Sequence, residues 1–569
     1  MSDSLKMSAV DPGGNIVATP IKTADERTFD AVVIGAGFSG VRMLLELRKL
    51  GLSGRVLDAG SDVGGTWHWN RYPGARTDSE SWVYCLSFSK ELMGDWDWKE
   101  RYPQWEEVNA YLRHVADRFD LRRDIQFDTR VVSARFDDET NSWTVTTSAG
   151  EQFTCTYLIT GLGILSLPVV PEIAGRDRFE GDILLTADWP EAGVDLRGKR
   201  VAVIGTGATG IQLVPVVAEQ CDRVTVFQRT PNFAVPAQNY PLDDAKRAEI
   251  RRNYDSIWSK ARDHVFGFPL DPAGRVYDDV TDEERERIFE ENWQRGGWEF
   301  LFETFDDIVL DQRSNDAAAE FIRNKIRSIV NDPDTAELLC PKGYPYVGKR
   351  PPLEHGYYEA FNRENVRLVD VSQNRLTEIT EKGLRLADGQ EFDADVVVFA
   401  TGFDAVTGPF ERIDIRNGEG LPLVDAWSEG ANTYLGVGTP GFPNLLMVSG
   451  PQTLYANFPM VSEMNVEWFG ELLRGMRERG LNRVEVTKEA SDAWSAHLDD
   501  VFRATLLTDG AKVGSWYLGA NIPGKPRKIL FYFGGGAAYR QAWEASRDNN
   551  FEGFVLTTVA TETPAAAAL

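Results

Sequence analysis

Apolar residues along this chain fall into short strand-like runs, and two of these runs lead into a glycine-rich loop followed by a helical pattern. The runs are residues 29–34 and 199–204, both rich in Val and Ile. The loops that follow them read GAGFSG (Gly35–Gly40) and GTGATG (Gly205–Gly210). A strand, a GxGxxG loop and a helix in this order predict a dinucleotide-binding unit, so the pattern predicts two such units in one chain.

The glycines explain why these loops suit a dinucleotide. They let the backbone turn tightly, and they let a pyrophosphate approach the amide groups at the start of the helix, where the helix dipole favours negative charge. The cofactor-binding glycines predicted on this basis are Gly35, Gly37, Gly40, Gly205, Gly207 and Gly210.

The strand after each loop indicates which dinucleotide it prefers. Residues 55–57 are followed by Asp58, whose carboxylate can accept hydrogen bonds from a ribose diol, as in FAD or NAD. The strand after the second loop ends without an acid and carries Arg229 instead. Because a guanidinium pairs with a phosphate through two hydrogen bonds, this site is predicted to bind NADP.

The remaining pattern places further elements around these two units. Residues 131–136 and 143–147 resemble a hairpin, and residues 158–161 and 398–402 both resemble strands that end in Thr-Gly. Between the second unit and residue 340 the chain is rich in acids and helix formers. A capping box at Thr281–Glu284 and an apolar stripe predict helices there; the stripe comprises Phe321, Ile322, Ile326, Ile329 and Val330.

The predicted fold class is therefore α/β, with two Rossmann-like dinucleotide-binding domains, one for FAD and one for NADP, and a helical insertion. The predicted boundaries are a flexible leader at 1–27, an FAD-binding domain at 28–162 and 400–569, an NADP-binding domain at 163–239 and 340–399, and the insertion at 240–339.

Length and charge limit the partners of the chain. It has 569 residues and a formal net charge of −26, which argues against nucleic acid or an anionic membrane surface. No apolar run is long enough to span a bilayer, and the N-terminus lacks a signal pattern. We predict a cytoplasmic protein that captures its anionic cofactors with local basic groups. The sequence leaves the oligomeric state open.

Cysteine and histidine spacing narrows the chemistry. Cys85, Cys155, Cys221 and Cys340 are scattered and form no CxxC pair. Disulfide reductases also carry two dinucleotide folds, but their reaction needs a cysteine pair that this chain lacks. The five histidines are not spaced like metal ligands, so no metal site is predicted.

Two longer segments resemble a known family. Gly64–Asp78 (GGTWHWNRYPGARTD) is similar to the flavin-side fingerprint of type I Baeyer–Villiger monooxygenases, and Phe179–Pro190 is similar to their FxGxxxHxxxWP signature. Leu185 stands where that signature has histidine. This departure concerns the coupling of the two domains or the efficiency of turnover more than the reaction class. Trp189-Pro190 favours the Baeyer–Villiger branch over relatives that oxidise nitrogen or sulfur. The resemblance covers about residues 28–557.

The resemblance implies an FAD-dependent, NADPH-consuming enzyme that uses O2 to convert a ketone into an ester or lactone. In this family NADPH reduces FAD, and the reduced flavin forms a C4a-peroxide whose anion attacks a carbonyl. A fixed cation beside that anion favours it and stabilises the charge that develops. By resemblance the cation is Arg350, paired with Asp78, and both are predicted to be catalytic.

The resemblance also implies the surroundings of both cofactors. Near the flavin it places Gly65, Thr66, Trp67, Asp78 and Tyr84. On the NADP side it places Thr209, Gln212, Arg229, Thr230 and Lys349, with Lys349 at the 2′-phosphate beside Arg229 and Thr230. Trp516 matches a family loop that closes over the cofactor and substrate. Residues 450–460 correspond to a substrate-facing loop, whose aromatic and aliphatic content suggests an apolar ketone.

Two alternatives to ketone oxidation stay open. One is a flavin monooxygenase that oxidises sulfides or amines. The other is an uncoupled NADPH oxidase or redox sensor, in which Leu185 impairs turnover and hydrogen peroxide is released without an organic product.

Overall fold

The computed structural model of the protein describes residues 27–560. Apart from Arg27, the predicted leader lies outside the described residues, as does the low-complexity tail at 564–569. The domain boundaries given above remain predictions, and the elements below show which segments share a sheet.

The described strands alternate between two main sheets and several small ones. They are β1 (Thr28–Ile34), β2 (Gly54–Leu57), β3 (Ile125–Gln126), β4 (Val131–Asp137), β5 (Ser142–Thr147), β6 (Gln152–Thr160), β7 (Asp182–Leu185), β8 (Arg200–Ile204), β9 (Arg223–Gln228), β10 (Val235–Pro236), β11 (Leu353–Glu354), β12 (Val366–Asp370), β13 (Leu376–Thr380), β14 (Gly383–Leu386), β15 (Glu391–Asp393), β16 (Val396–Phe399), β17 (Asp414–Arg416), β18 (Leu445–Met447), β19 (Thr453–Leu454), β20 (Arg483–Val486), β21 (Phe531–Tyr532) and β22 (Phe554–Thr557).

The described α-helices pack on both sheets and fill the segment between β10 and β11. They are α1 (Phe38–Lys49), α2 (Thr66–Trp69), α3 (Lys90–Asp95), α4 (Trp105–Arg118), α5 (Ala208–Ala218), α6 (Asp244–Arg252), α7 (Tyr254–Asp263), α8 (Asp282–Arg295), α9 (Glu299–Phe302), α10 (Gln312–Ile329), α11 (Pro333–Leu339), α12 (Tyr357–Ala360), α13 (Gly408–Glu411), α14 (Leu423–Ala426), α15 (Phe458–Glu478), α16 (Lys488–Arg503) and α17 (Gly536–Asp548). Within residues 27–560, no helix combines the length and apolar character that crossing a lipid bilayer requires.

The first main sheet carries the first glycine loop. Its strands run in the order β17-β4-β5-β6-β1-β2-β3, and β18 also pairs with β6. β1 is parallel to both β2 and β6, whereas β4, β5 and β6 are antiparallel, so the predicted hairpin is confirmed. Because β17 and β18 join this sheet, residues 414–416 and 445–447 return to the sheet that contains β1.

The second main sheet carries the second glycine loop. Its five strands are all parallel and run in the order β12-β9-β8-β16-β7. β8 and β16 are central neighbours, so the loops after both strands meet at the same edge of the sheet. Two parallel arrangements of strand, glycine loop and helix confirm the predicted α/β class with Rossmann-like units.

Helices fill the segment between residues 244 and 339, as the helical pattern predicts. Thr281 caps α8 through the capping box with Glu284. Along α10 the apolar stripe is buried at Phe321, Ile322 and Ile326. The stripe therefore packs the interior of this segment.

Candidate active site and dinucleotide sites

The two glycine loops have the backbone shape that a pyrophosphate cradle needs. Gly35 and Gly205 both adopt positive φ, +105° and +116°. A side chain at either position would collide with a carbonyl of a crossing segment, that of Gly161 in the first unit and that of Ala400 in the second. Only glycine combines this conformation with so close an approach.

The helices after these loops begin without a capping side chain. α1 starts after Gly37 and α5 after Gly207, and neither helix receives a side-chain hydrogen bond at its N-terminus. By contrast, the Thr281 hydroxyl accepts a hydrogen bond from Glu284 N at the start of α8. The first amides of α1 and α5 are therefore left for a phosphate, so both loops fit the dinucleotides that the sequence predicts.

Asp58 lies where the sequence places it, directly after β2. Its carboxylate accepts hydrogen bonds from Ala36 N at 2.5 Å and Gly60 N at 2.6 Å. Burial raises the pKa of this carboxyl above its usual value, against these bonds. Asp58 thus holds the first glycine loop in shape, and its contact with a ribose stays a prediction.

The flavin-side fingerprint packs directly on the first loop. Gly65 precedes α2, and a side chain at this position would lie 2.9 Å from the Cα of Gly37, so Gly65 has no room for a larger residue. Thr66 begins α2, and the Trp67 ring meets the Tyr84 ring edge-on with 5.6 Å between centroids. The fingerprint therefore brings Thr66, Trp67 and Tyr84 together beside the first loop.

Arg350 and Asp78 form an ion pair, although 272 positions separate them in the chain. Arg350 Nη1 lies 2.7 Å from Asp78 Oδ2. The aspartate side chain is 3% exposed and the arginine side chain 29%, so the carboxylate is buried while the arginine side chain stays partly accessible. Burial lowers the pKa of Arg350, but Asp78 and the nearby tyrosines outweigh it and raise the pKa above its usual value. The site thus holds a permanent positive charge.

Trp298 completes this pair, and sequence reasoning missed it. Its indole N–H donates to the backbone carbonyl of Asp78 at 2.5 Å, and its ring centroid lies 5.7 Å from the guanidinium carbon of Arg350. The one available signal was Gly296-Gly297, which interrupts the helical pattern directly before Trp298. That break marks a turn but does not reveal which segment the turn approaches.

Gln212 connects the second dinucleotide unit to the flavin-side fingerprint. From α5 its Nε2 reaches Arg76 O at 3.0 Å and Asp78 Oδ1 at 3.4 Å, and its Oε1 accepts from the Tyr72 hydroxyl at 2.8 Å. Thr209, on the same helix, lies near the Tyr72 hydroxyl. The helix that follows the NADP loop therefore touches the segment that carries Asp78.

The loop that carries Arg350 is held from two sides. Asn315 on α10 exchanges hydrogen bonds with the backbone of Tyr346, donating to its carbonyl at 3.0 Å and accepting from its amide at 2.9 Å. Asn232 Nδ2 donates to Arg350 O at 3.0 Å. These amides fix the backbone on either side of Lys349, so Arg350 extends from an anchored loop.

Lys349 and Arg229 form a basic pair beside the second glycine loop. Burial, together with the charge of Arg229, lowers the pKa of Lys349 to about 8. The charges that act on Lys349 include no carboxylate from residues 27–560. The Thr230 carbonyl accepts a hydrogen bond from the Thr206 hydroxyl at 3.1 Å, which ties this corner to the loop. Among residues 27–560, neither Lys349 nor Arg229 forms an ion pair with a carboxylate, and two such cations suit a phosphate.

Aromatic side chains form a cluster near Arg350, whose charge acts on Tyr455 and Tyr517. The hydroxyls of Tyr455 and Tyr517 lie 3.2 Å apart, and the Trp516 ring centroid is 6.0 Å from that of Tyr455. Burial raises the pKa of Tyr455, while Arg350 acts in the opposite direction. Trp516, predicted from sequence, therefore lies in the same cluster as tyrosines that feel the charge of Arg350.

Comparison with known proteins agrees with this geometry. Residues 30–244 match the family model described as flavin-binding monooxygenase-like. A Baeyer–Villiger monooxygenase of Pseudooceanicola batsensis is 45% identical over 541 residues, which cover 94% of this chain and 98% of that protein. This chain belongs to the Baeyer–Villiger monooxygenase family. It is thus an NADPH-dependent flavoprotein monooxygenase whose cofactors are FAD and NADP.

A solved structure and a second relative extend the comparison. The structure of cyclohexanone monooxygenase from Rhodococcus sp. Phi1 bound to NADP+ superposes with a TM-score of 0.91 at 42% identity, covering 94% of this chain and all of that one. Phenazine N-monooxygenase PhzNO1 of Lysobacter antibioticus is 44% identical over 534 residues, covering 94% of this chain and 98% of that protein. The family therefore includes a close relative named for oxidation at nitrogen.

At Leu185 this Baeyer–Villiger monooxygenase departs from the family signature, which has histidine at that position. It ends β7, lies opposite Phe399 of β16, and is partly buried against an apolar cluster that includes Phe399 and Val397. The side chain thus packs on the second sheet, where a leucine fits the local environment.

We expect Leu185→His to lower the free energy of unfolding by about 1 kcal/mol, because it places a polar ring in this apolar cluster. We expect the ratio of organic product to NADPH to stay as in the wild-type enzyme. Thermal unfolding and a product assay measure the two effects. A clear rise in that ratio would show instead that the leucine impairs turnover.

Proposed function

We propose that this monooxygenase oxidises a ketone to an ester or lactone at the Arg350–Asp78 pair. The observation that carries the proposal is the 2.7 Å ion pair between an almost fully buried carboxylate and an arginine whose side chain is partly accessible. The predicted catalytic roles of both residues, the cofactor contacts, the ketone substrate and location in the cytoplasm all belong to this proposal.

In the proposed mechanism the oxygen-activating chemistry comes from FAD and the hydride from NADPH when both are bound. Arg350 supplies a fixed positive charge that stabilises negative charge on oxygen as the substrate carbonyl reacts. Asp78 compensates this cation and holds it in place, because an unpaired charge in a partly buried pocket is costly. Trp298 supports both residues, since it binds the Asp78 backbone and faces the guanidinium.

The cofactor side of the proposal depends on the basic pair and on α5. Lys349 and Arg229 would hold the 2′-phosphate of NADP, with Thr230 beside them. Gln212 and Thr209 would keep the NADP-binding unit against the flavin-side fingerprint, so that the two cofactors meet near Asp78. Tyr455 and Trp516 would exclude water from the pocket and form an apolar wall for the ketone.

A second candidate function is oxidation at nitrogen or sulfur. It is favoured by the 44% identity to a protein named phenazine N-monooxygenase. We rank ketone oxidation first because a permanent cation next to the reacting oxygen stabilises an anionic nucleophile, whereas transfer of oxygen to nitrogen needs an electrophile.

A side-by-side product assay tests the proposal. The enzyme, loaded with FAD and supplied with NADPH and O2, is offered a cyclic ketone, a thioether and an aromatic N-heterocycle at equal concentration. We expect the lactone as the main product. If an N-oxide or a sulfoxide forms instead and no lactone is detected, the second candidate replaces the first.

The pKa of Lys349, about 8 in the free enzyme, predicts the pH dependence of NADPH use. Above that pH the ammonium loses its proton and one positive charge at the phosphate site is lost. We therefore expect kcat/KM for NADPH to fall as pH rises through about 8, by roughly tenfold, since this constant reports groups of the free enzyme.

The matched control is Lys349→Arg, which keeps its charge throughout this range. Its kcat/KM for NADPH should show no step near pH 8, and neither should that of the wild-type enzyme with NADH. An equal decline in all three profiles would assign the step to another group.

A further inference from the structure

A buried cluster of one guanidinium and two carboxylates lies behind the Arg350–Asp78 pair. Arg101 Nη2 is 2.8 Å from Glu80 Oε1 and 2.6 Å from Glu299 Oε1, and Arg101 Nε also donates to Glu80 Oε1 at 3.1 Å. The three side chains are at most 10% exposed. Burial raises the pKa of Glu80, against the lowering effect of Arg101. Charges buried this deeply are costly unless they are paired with good geometry, so removing one member of the cluster would leave a buried charge without compensation.

The position of the two carboxylates shows which segments of the chain Arg101 connects. Glu80 comes two residues after Asp78 in the chain, and Glu299 directly follows Trp298. Arg101 therefore joins the segment that carries the catalytic aspartate to the start of α9, where the tryptophan lies. The indole hydrogen bond to Asp78 O spans the same two segments.

The backbone of Arg101 is fixed independently of its side chain. Its carbonyl accepts a hydrogen bond from Ser81 N at 2.7 Å, and its amide donates to Tyr240 O at 3.0 Å. The space around the guanidinium is also closely packed, because a side chain at Gly297 would lie 2.6 Å from Glu299 Oε2 and 2.9 Å from Arg101 Nη2. An anchored arginine in a closely packed site can hold two segments in one fixed relation.

We propose that Arg101 is a positioning residue for the oxygenation step. Its bridge between Glu80 and Glu299 fixes the distance between Asp78 and Trp298, and these two residues orient the Arg350 guanidinium. Arg101 acts through them and needs no contact with substrate. The inference rests on the role of Arg350 in the proposed function, and it adds a residue that neither the fingerprint nor the glycine loops include.

The test compares Arg101→Met with Arg48→Met, both as FAD-loaded enzymes. Arg48 is also a partly buried bridging arginine, since its Nε donates to Asp124 at 2.9 Å and its Nη1 donates to Phe119 O at 2.8 Å, but it lies on α1 away from Asp78. We expect Arg101→Met to form about tenfold less ester or lactone per NADPH consumed, because small misplacements of a catalytic group have large effects on rate.

The expected signature differs from that of a general loss of structure. The KM for NADPH should stay unchanged in Arg101→Met, Arg101→Lys should recover part of the product, and Arg48→Met should keep the wild-type ratio of product to NADPH. Glu299→Gln, which retains the shape of the side chain, should lower the ratio as well; it decides the test if Arg101→Met fails to bind FAD.

A double variant shows whether Arg101 acts through Trp298. If it does, Arg101→Met combined with Trp298→Phe should lose no more product per NADPH than the more severe single variant, because interacting residues are not additive. Any of three results would overturn the inference. The losses in the double variant could be fully additive, Arg101→Met and Glu299→Gln could both keep the wild-type ratio of product to NADPH, or Arg48→Met could lose as much product as Arg101→Met. A wild-type ratio in Arg350→Met would instead overturn the proposed function on which it rests.

Discussion

Replacing Arg350 with methionine should reduce the rate at which the ketone is converted into an ester or lactone by roughly 10²- to 10³-fold. This is the effect typical of losing one preorganised group that stabilises developing negative charge. Methionine retains much of the apolar length of the side chain but removes the cation that pairs with Asp78. Oxidation of NADPH should continue, with hydrogen peroxide released in place of the ester or lactone. Product and peroxide are measured together, each per NADPH consumed.

Arg350→Lys is the informative control for this variant. It keeps one positive charge but not the planar guanidinium that donates to Asp78 and faces Trp298, so its product yield should fall between those of the methionine variant and the wild-type enzyme. A methionine variant that forms the ester at the wild-type rate would show that the cation has no part in the reaction.

Removing the basic pair should produce the second large effect. We expect Lys349→Ala combined with Arg229→Ala to raise the KM for NADPH by roughly 100-fold, because each charge-assisted hydrogen bond to a phosphate is worth about 1.5–3 kcal/mol. The KM for NADH, which lacks the 2′-phosphate, should change little. Steady-state kinetics with both coenzymes measure the change in preference.

Lys349→Arg with Arg229 intact is the matched control, since it keeps both charges in place. An equal rise in KM for NADPH and NADH in the double alanine variant would mean that these residues support the fold of the site and do not recognise the phosphate.

The sequence predicted the parts of the site whose chemistry is local. The glycine loops, their strands and their helices follow from backbone geometry that a short motif specifies. Arg350 and Asp78 lie far apart in the chain, yet family resemblance paired them, and the structure places them 2.7 Å apart. The second glycine loop also lies next to Arg229 and Lys349, as the basic residues in the sequence suggested.

Other features could not be predicted because they depend on contacts between distant segments. Trp298 lies within a helical stretch of the sequence, and only the turn at Gly296-Gly297 brings its indole to Asp78. Arg101 has no motif of its own, and its ion pairs with Glu80 and Glu299 become visible only in the folded chain. A pattern along the chain does not contain these distances.

Asp58 shows a further limit of motif reasoning. An acid after the second strand of a dinucleotide fold predicts a contact with ribose. In the structure both of its carboxylate oxygens accept hydrogen bonds from backbone amides, those of Ala36 and Gly60. The residue type and its position were predictable, but the additional structural role of its carboxylate was not.

The most direct test of the account is the ratio of hydrogen peroxide released to NADPH consumed by the wild-type, FAD-loaded enzyme, measured with and without a cyclic ketone. We predict that adding the ketone suppresses peroxide release and that lactone forms in equal amount to the NADPH consumed. Nearly complete peroxide release under both conditions, without lactone, would contradict the assignment of ketone oxidation to this site.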